Sequence, residues 1–286
     1  MYLVPFISNR WEQLPSSRGT DDQLRIALET LFDPRQPTSN VERTLDTVND
    51  LIFHQQSTYP STYITVPYLV QYMDRLDIRS QHQIVDLVTW IFTQRPSYGP
   101  LNATEIAAYY EAIERLEPKA EQLLVADGNS SQWRDMWNSL NLLGRLATLR
   151  GLKTVGTYLR HGEEETDFTC QHCDQCLQSR GPAVTYDPSR DPNQFLLGYS
   201  EPFEVQYILP LRRVVIADGN RDDPTTIYPR NTFGNFEPDH PAFLVNQWAK
   251  AAGHHKIATW LSHFFGFAHC PNCGWKNDLV NRLLDS

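Results

Sequence analysis

Two short cysteine motifs, Cys170-Gln171-His172-Cys173 and Cys270-Pro271-Asn272-Cys273-Gly274, decide how the second half of this chain folds. Two CxxC pairs supply four thiolates, and four thiolates hold Zn²⁺ tetrahedrally with each sulfur about 2.3 Å from the metal. A shared metal brings two segments that are far apart in the sequence to one point. We therefore expect one structural zinc ion that clasps them together, bound by Cys170, Cys173, Cys270 and Cys273.

The closed ligand set is the reason to expect a structural metal. A catalytic zinc keeps one coordination position open, whereas two complete pairs fill all four. Each CxxC segment is called a knuckle here, Cys170–Cys173 the first and Cys270–Cys273 the second. Gly274 favours the turn of the second knuckle, because glycine accepts the positive φ that such a turn often needs. Cys176 is expected to be a spare thiol beside the site, and His172 and His269 are weaker alternative ligands. A metal-free reduced cluster and a redox-active dithiol are the competing interpretations.

Length and cysteine use bound the class of protein. The chain has 286 residues, enough for one large domain or two modest ones whose core needs no disulfides. All five cysteines lie in or beside the two motifs, which is typical of a reducing compartment and not of a secreted disulfide scaffold. No signal-peptide pattern and no apolar run of about 18 residues is found. We expect a soluble cytoplasmic protein.

The charge balance argues against nucleic acid as the partner. Lys and Arg total 25 against 34 Asp and Glu, for a formal net charge of -9. Modules that bind nucleic acid usually carry a basic stripe, but here the acidic run Glu163-Glu164-Glu165 directly precedes the first knuckle. An acidic surface suits a basic protein partner better. A nucleic-acid role for the cysteine motifs is the weaker alternative.

Residues 21–160 predict successive helices and therefore a mainly α fold. Apolar residues recur at helical spacing, and four of the six runs follow a candidate cap. Pro67 is expected near the first turn of the third helix, and Pro118 is expected to end the fifth. Trp133 and Trp137, in the sixth, are expected to pack between helices. The candidate caps are Thr20, the capping boxes Ser39–Glu42 and Asn102–Glu105, and Ser130 or Ser131.

Two architectures fit these helices. Short connectors and helices of about 12 to 20 residues favour a HEAT-like α-solenoid over residues 1–160, and a compact α-bundle is the alternative.

The predicted second region, residues 161–286, contains the knuckles and an irregular insert at 177–239. Turn dipeptides and the apolar residues between Val205 and Ile216 give this insert some β structure. Helices are predicted to resume at Pro241, Lys256 and Lys276.

The segments that precede the two knuckles match each other. Gly151 to His161 aligns with Gly253 to His263, with a β-branched residue, a Thr, an aromatic, a Leu and a final His at the same offsets. Each segment then leads through an aromatic residue into a CxxC pair. The match indicates a duplicated unit of helix plus knuckle, with the two copies closing over one metal. A coincidence between amphipathic helices is the alternative.

The remaining motifs give no complete active site. His54 and Tyr59 lie in the polar segment Phe53–Pro60, where they could act as a base and an acid but are better explained as turn residues. The stretch Asp218–Asp223 resembles the start of a calcium loop. It lacks glycine at the sixth position and has Pro229 where the loop needs Glu, so we expect a polar turn.

The segment Leu51-Ile-Phe-His-Gln-Gln-Ser-Thr-Tyr-Pro-Ser-Thr-Tyr-Ile-Thr-Val-Pro-Tyr-Leu-Val70 resembles a stretch of bacterial HEAT-like repeat proteins, with a His-Gln turn, Tyr-Pro and then Val-Pro-Tyr-Leu. Some members are also similar in carrying a helix, an aromatic link and a CPxCG knuckle, as in Leu261–Gly274 here. Proteins of this kind are often encoded beside polymorphic toxins. The resemblance covers about half of the chain and implies a helical-repeat binding protein of the immunity type. It supplies no catalytic residues.

The resemblance and the charge together give a functional expectation. We expect a protein that is not an enzyme and that neutralises a cognate bacterial toxin by occluding it, with a basic toxin domain as the protein partner. Opposite charge on the two proteins would raise their association rate. A zinc-stabilised adaptor with no toxin is the alternative, and a hydrolase that uses His54 is a third.

Overall fold

The computed structural model describes a mainly helical protein with one mixed region of short strands. Contacts divide the chain into two compact units, Met1–Gly156 and Thr157–Ser286. The residues described are 1–17, 22–55, 57–128, 133–160, 166–170, 172–173, 176–180, 213–216, 225–228, 236–270 and 273–279.

The helices carry most of the described residues. They are α1 (Arg10–Gln13), α2 (Gln23–Leu31), α3 (Thr38–Ile52), α4 (Pro60–Tyr72), α5 (Ile78–Thr93), α6 (Ala103–Asp127), α7 (Trp133–Leu149), α8 (Lys153–Arg160), α9 (Pro241–Ala251) and α10 (His255–Phe264). Within the described ranges, no helix combines the length and the apolar content that crossing a bilayer requires.

The first unit is built around α4, which is enclosed on all sides. Every residue from Pro60 to Val70 is buried, and α4 contacts α3, α5 and α6. A helix that is apolar all round belongs inside a core, because any exposed face would leave hydrophobic surface in water. Two of its polar side chains bond within the core: Thr65 Oγ1 donates to Ser61 O at 2.8 Å and Thr62 Oγ1 to Ile52 O at 2.5 Å.

The order of helix contacts bears on the choice between solenoid and bundle. The pairs α2–α3, α5–α6 and α6–α7 pack in chain order, as they would in a helical repeat. The enclosed α4 and the contacts of α5 with both α3 and α7 are what a compact bundle predicts. These contacts confirm a mainly α unit, and they do not establish a HEAT repeat.

Two of the predicted helix boundaries are wrong, and proline is the reason. The fifth predicted helix continues through Pro118 as far as Asp127. Pro118 is exposed, so water can satisfy the carbonyl that its ring leaves unpaired, while Ala120, Leu123 and Leu124 keep the helix buried beyond it. Pro67 likewise lies inside α4, which begins seven residues earlier at Pro60, a favourable proline position in the first turn.

The helix caps were predicted with mixed success. Asn102 caps α6 as expected: its side chain accepts from the Glu105 N–H, and the Glu105 carboxylate accepts from the Asn102 N–H. The Ser39 capping box is wrong, because α3 begins one residue earlier at Thr38 after the extended Pro37. Proline presets the extended turn into the helix and makes a side-chain cap unnecessary there. Thr20, Ser130 and Ser131 lie outside the described residues.

The second unit contains a sheet of six short strands: β3 (Thr166–Thr169), β4 (Cys176–Arg180), β5 (Arg213–Ile216), β6 (Thr225–Tyr228), β7 (Phe267–His269) and β8 (Lys276–Asp278). A separate pair in the first unit, β1 (Phe53–His54) and β2 (Ser57–Thr58), forms a hairpin. The six strands pair in chain order and every neighbouring pair is antiparallel. The β structure predicted between Val205 and Ile216 is confirmed for Val214 to Ile216, which lie in β5, whereas β4 and β6 were not predicted. Val205 to Leu211 lie outside the described residues.

The strand β6 joins two halves of this sheet. Thr225 and Thr226 pair with β5, whereas Ile227 and Tyr228 pair with β7. A strand of four residues therefore changes partner halfway along. Sequence reasoning placed a helix at Lys276 to Leu284, but Lys276–Asp278 form β8 instead. Pairing of β8 with β7 outweighs helical propensity here. Residues 280–286 lie outside the described part of the chain.

Candidate metal centre

The four predicted ligands lie together in the second unit. The Sγ atoms of Cys170, Cys173, Cys270 and Cys273 all fall within 4.8 Å of one another. Cys170 Sγ lies 3.7 Å from Cys273 Sγ, and Cys173 Sγ lies 3.7 Å from Cys270 Sγ. A tetrahedron with metal–sulfur bonds of about 2.3 Å has edges of about 3.8 Å. The cross-knuckle distances therefore fit a tetrahedral thiolate site.

The donor set restricts which metal the site can hold. Soft thiolates in tetrahedral arrangement suit Zn²⁺ and iron, and they do not suit calcium or magnesium, which prefer oxygen ligands. Cys170 and Cys270 are buried, Cys173 is half-buried and Cys273 is exposed. Two of the four cysteines are thus enclosed by protein, and Cys273 lies on the solvent side of the cluster.

Backbone hydrogen bonds shape the second knuckle. Gly274 N–H donates to Cys270 O and Cys270 N–H donates to Trp275 O, each at 2.8 Å. Gly274 has a φ of +73°, in the left-handed region that a residue with a Cβ adopts only with strain. The glycine that follows the CxxC pair is therefore required by the turn itself, as its position in the sequence predicted.

Clustering of the thiols has an electrostatic consequence for Cys273. The Trp275 N–H donates to its sulfur and lowers the pKa of the thiol, but desolvation and the thiols of Cys173, Cys170 and Cys270 outweigh this. The net effect raises the pKa of Cys273 to about 12. Four neighbouring thiolates repel one another, and a bound dication removes that cost. The cluster could therefore hold a metal ion.

The two neighbouring histidines have other contacts. The His172 ring stacks on Trp275, with centroids 5.0 Å apart and planes 11° from parallel. His269 Nδ1 lies 2.9 Å from Gly274 O. Within the described residues the candidate ligand group consists of the four cysteines alone. Cys176 opens β4, and its side chain lies outside the described part.

Each knuckle is the loop of a β-hairpin, which sequence reasoning missed. In the first hairpin Thr169 pairs with Cys176, and in the second His269 pairs with Lys276. In a flat sheet the centres of these loops would stand roughly 19 Å apart, four strand spacings of about 4.8 Å each. Because their sulfurs lie within 4.8 Å, the sheet must curve strongly. The available signal was the β-branched and aromatic content of Thr166-Asp-Phe-Thr169, which is typical of a strand.

The match between the two segments that precede the knuckles extends to their backbone geometry. The helices α7 and α9 end in the same way: Gly151 has a φ of +86° and Gly253 a φ of +83°. Leu152 N–H donates to Ala147 O, and His254 N–H donates to Ala249 O, both at 2.8 Å. These bonds are those of a Schellman motif, in which a left-handed glycine ends one helix before the next begins.

The matched helices also bury the same positions. Val155 and Ile257 correspond, as do Leu159 and Leu261, and all four are buried. In both copies the order is helix, left-handed glycine, helix, strand, CxxC pair, strand. This shared order supports the duplicated-unit interpretation over coincidence, because it includes backbone features that were not part of the original match.

The other residues that the sequence singled out do not form a second candidate site among the described residues. His54 is exposed on the β1–β2 hairpin, where Gln55 adopts a φ of +49°. Tyr59 precedes α4, and its N–H donates to Thr62 Oγ1 at 2.9 Å. The hairpin position of His54 and the hydrogen bond of Tyr59 both fit the expected turn role. Asp218–Asp223 and the side chains of Trp133 and Trp137 lie outside the described part.

No protein-family model, curated protein or solved structure matches this chain at a significant level.

Proposed function

We propose that this chain is a zinc-stabilised binding protein that acts as an immunity protein, neutralising a basic bacterial toxin domain by occlusion in the cytoplasm. Zinc is the metal assigned to Cys170, Cys173, Cys270 and Cys273, in a structural role. The four-cysteine geometry supports this role, because the protein fills every coordination position and leaves none for a substrate.

The observation that carries the binding role is the formal net charge of -9 combined with a closed metal site. A large negative charge attracts a basic partner and raises the association rate through long-range steering. The HEAT-like resemblance of residues 51–70 belongs to this proposal, although the enclosed α4 favours a compact helical unit as the binding scaffold. The proposal concerns a protein surface and needs no catalytic residue.

The test is to isolate the partner from the native cells. The tagged, zinc-loaded full chain is used to capture bound proteins, which are identified by mass spectrometry. We expect one stoichiometric basic protein that is toxic when expressed alone and harmless when co-expressed with this chain. Binding should weaken as salt rises, because screening shortens the reach of the charges. A partner whose affinity does not depend on salt contradicts the electrostatic argument.

The second candidate is a zinc-containing adaptor that joins host proteins. Capture of ordinary host proteins, none of them toxic, favours this adaptor. A hydrolase role for His54 is favoured only by turnover that His54→Ala abolishes. His54 is exposed on a hairpin of two-residue strands, and this exposure is the reason to rank that role last.

A further inference from the structure

An aromatic pair stands exposed beside the metal cluster. Trp275 keeps 47% of its surface exposed, whereas Trp11 and Trp260 are buried to 3% and 2% exposure. Leaving an indole in water sacrifices the favourable transfer that burial brings. Its stacking partner His172 is exposed as well. Tryptophan is among the residues most enriched in binding hot spots, so this exposed stacked pair is the candidate contact surface beside the cluster.

The backbone fixes the position of this pair. Trp275 accepts a hydrogen bond from Cys270 N–H through its carbonyl and donates its own N–H to Cys273. His172 lies between the two ligands of the other knuckle. The two rings therefore come from opposite knuckles, and the metal cluster holds them together. We call the stacked rings of His172 and Trp275 the platform. Because its position is fixed in this way, the platform loses little conformational freedom on binding.

The sequence that flanks the first knuckle is acidic. Bound to one dication, the four thiolates would keep a net negative charge, and Cys273 is the exposed member of the four. Residues 163–175 around the first knuckle contain five acidic residues and no Lys or Arg. The ammonium of the adjacent Lys276 is already placed over the Phe267 ring, 3.9 Å from its centroid.

We infer that the His172–Trp275 platform is a docking site for an arginine side chain of a basic protein partner. A guanidinium stacks on the face of an aromatic ring and is attracted both by the ring and by the negative charge of the cluster. A nucleobase also stacks on tryptophan, but the phosphates that accompany it meet a chain of net charge -9. The inference rests on the proposed function in one respect, that the partner is basic.

The test uses the zinc-loaded full chain and a nine-residue peptide that contains four arginines. Affinity is measured by calorimetry for the wild type and for Trp275→Ala. Because Trp275 supports the knuckle through its main chain, the variant is expected to keep its zinc, which is checked by metal analysis. We expect the peptide to bind about three- to thirtyfold more weakly to Trp275→Ala, the range of a partly desolvated cation–π contact.

Three controls separate the interpretations. The same peptide with citrulline in place of arginine keeps the shape and loses the charge, so it should bind the wild type weakly. Tyr110→Ala removes an exposed aromatic side chain from the first unit and should leave peptide affinity unchanged. Should Trp275→Ala lose zinc, His172→Ala removes the other ring of the stack and is expected to weaken binding instead.

Two outcomes overturn the inference: equal peptide affinity of the wild type and of a zinc-retaining Trp275→Ala, or tighter binding of single-stranded oligo-dT than of the peptide. The proposed function fails separately. If no toxin is captured but Trp275→Ala loses the peptide, the platform stands and the immunity role does not. If a toxin is captured equally well by Trp275→Ala, the immunity role stands and the platform does not.

Discussion

Replacing Arg10 by methionine tests how the N-terminal segment is fixed to the first unit. Arg10 forms a paired contact with Glu105 at the start of α6, Nε to Oε1 at 2.7 Å and Nη2 to Oε2 at 2.8 Å. Arg10 Nη2 also donates to Pro100 O at 2.6 Å. Methionine keeps the apolar stem of the side chain and removes the charge, so the change isolates the ion pair.

The size of the effect follows from burial. The Glu105 side chain is 2% exposed and the Arg10 side chain is 22% exposed. Removing one partner of a buried pair costs about 3–5 kcal/mol, because the other charge stays buried without compensation. The partial exposure of Arg10 and the remaining bond from Asn102 N–H to Glu105 reduce that cost. We expect about 3 kcal/mol at neutral pH.

The pH dependence gives a sharper result. Burial raises the pKa of Glu105, but the guanidinium of Arg10 and the amide of Asn102 outweigh it, so the pKa lies below its ordinary value. The pair therefore stabilises the fold above the unfolded pKa of about 4.3, and this contribution is lost as the pH falls through the folded pKa. Without Arg10, burial raises that pKa, so the deficit of the variant should shrink from pH 7 to about pH 4.

Native-state hydrogen exchange of peptides from α6 measures the free energy of opening locally, which suits a chain of two units. Arg25→Met is the matched control, because Arg25 pairs with Asp22 and Glu29 on the surface of α2 and should matter much less. A deficit below about 1 kcal/mol for Arg10→Met, or one that stays constant between the two pH values, would refute the reasoning.

Two glycines make further predictions. A Cβ on Gly156 would meet Thr148 Oγ1 at 2.1 Å and Gly144 O at 2.6 Å, so Gly156→Ala should cost about 3 kcal/mol in urea unfolding, as overpacking against backbone does. The exposed Thr154→Ala on the same helix is its control, and similar stability of the two variants would contradict the close approach. A Cβ on Gly274 would meet no atom within 4 Å, but the residue has a φ of +73°. Gly274→Ala should therefore add about 1 kcal/mol of backbone strain and weaken zinc binding about fivefold. Competition with a chelator measures the zinc affinity. Unchanged zinc affinity would mean that the turn relaxes without cost.

Sequence predicted those features of this protein that depend on local chemistry. The Asn102 capping box and the set of four cysteines needed only short spacing rules, and the structure places both as expected. The exposed Pro118 within α6 was not predictable, because its tolerance depends on burial beyond it. The strand at Lys276 was missed for a related reason, since its partner β7 and the curvature of the sheet are tertiary features.

The stacking of His172 on Trp275 illustrates the same limit at the site. The two rings lie about 100 positions apart in the sequence, and each looks like an ordinary knuckle residue when considered alone. Only the meeting of both knuckles in one cysteine cluster brings them together. Sequence therefore identified the four cysteines that cluster and could not identify the surface beside them.

X-ray absorption at the zinc edge of the full chain tests the central claim most directly. The account predicts one zinc per chain surrounded by four sulfurs at about 2.3 Å, and loss of that zinc in the double variant Cys270→Ser with Cys273→Ser. Nitrogen or oxygen in the first shell, much less than one zinc per chain, or a double variant that retains zinc and stability would contradict the four-cysteine clasp.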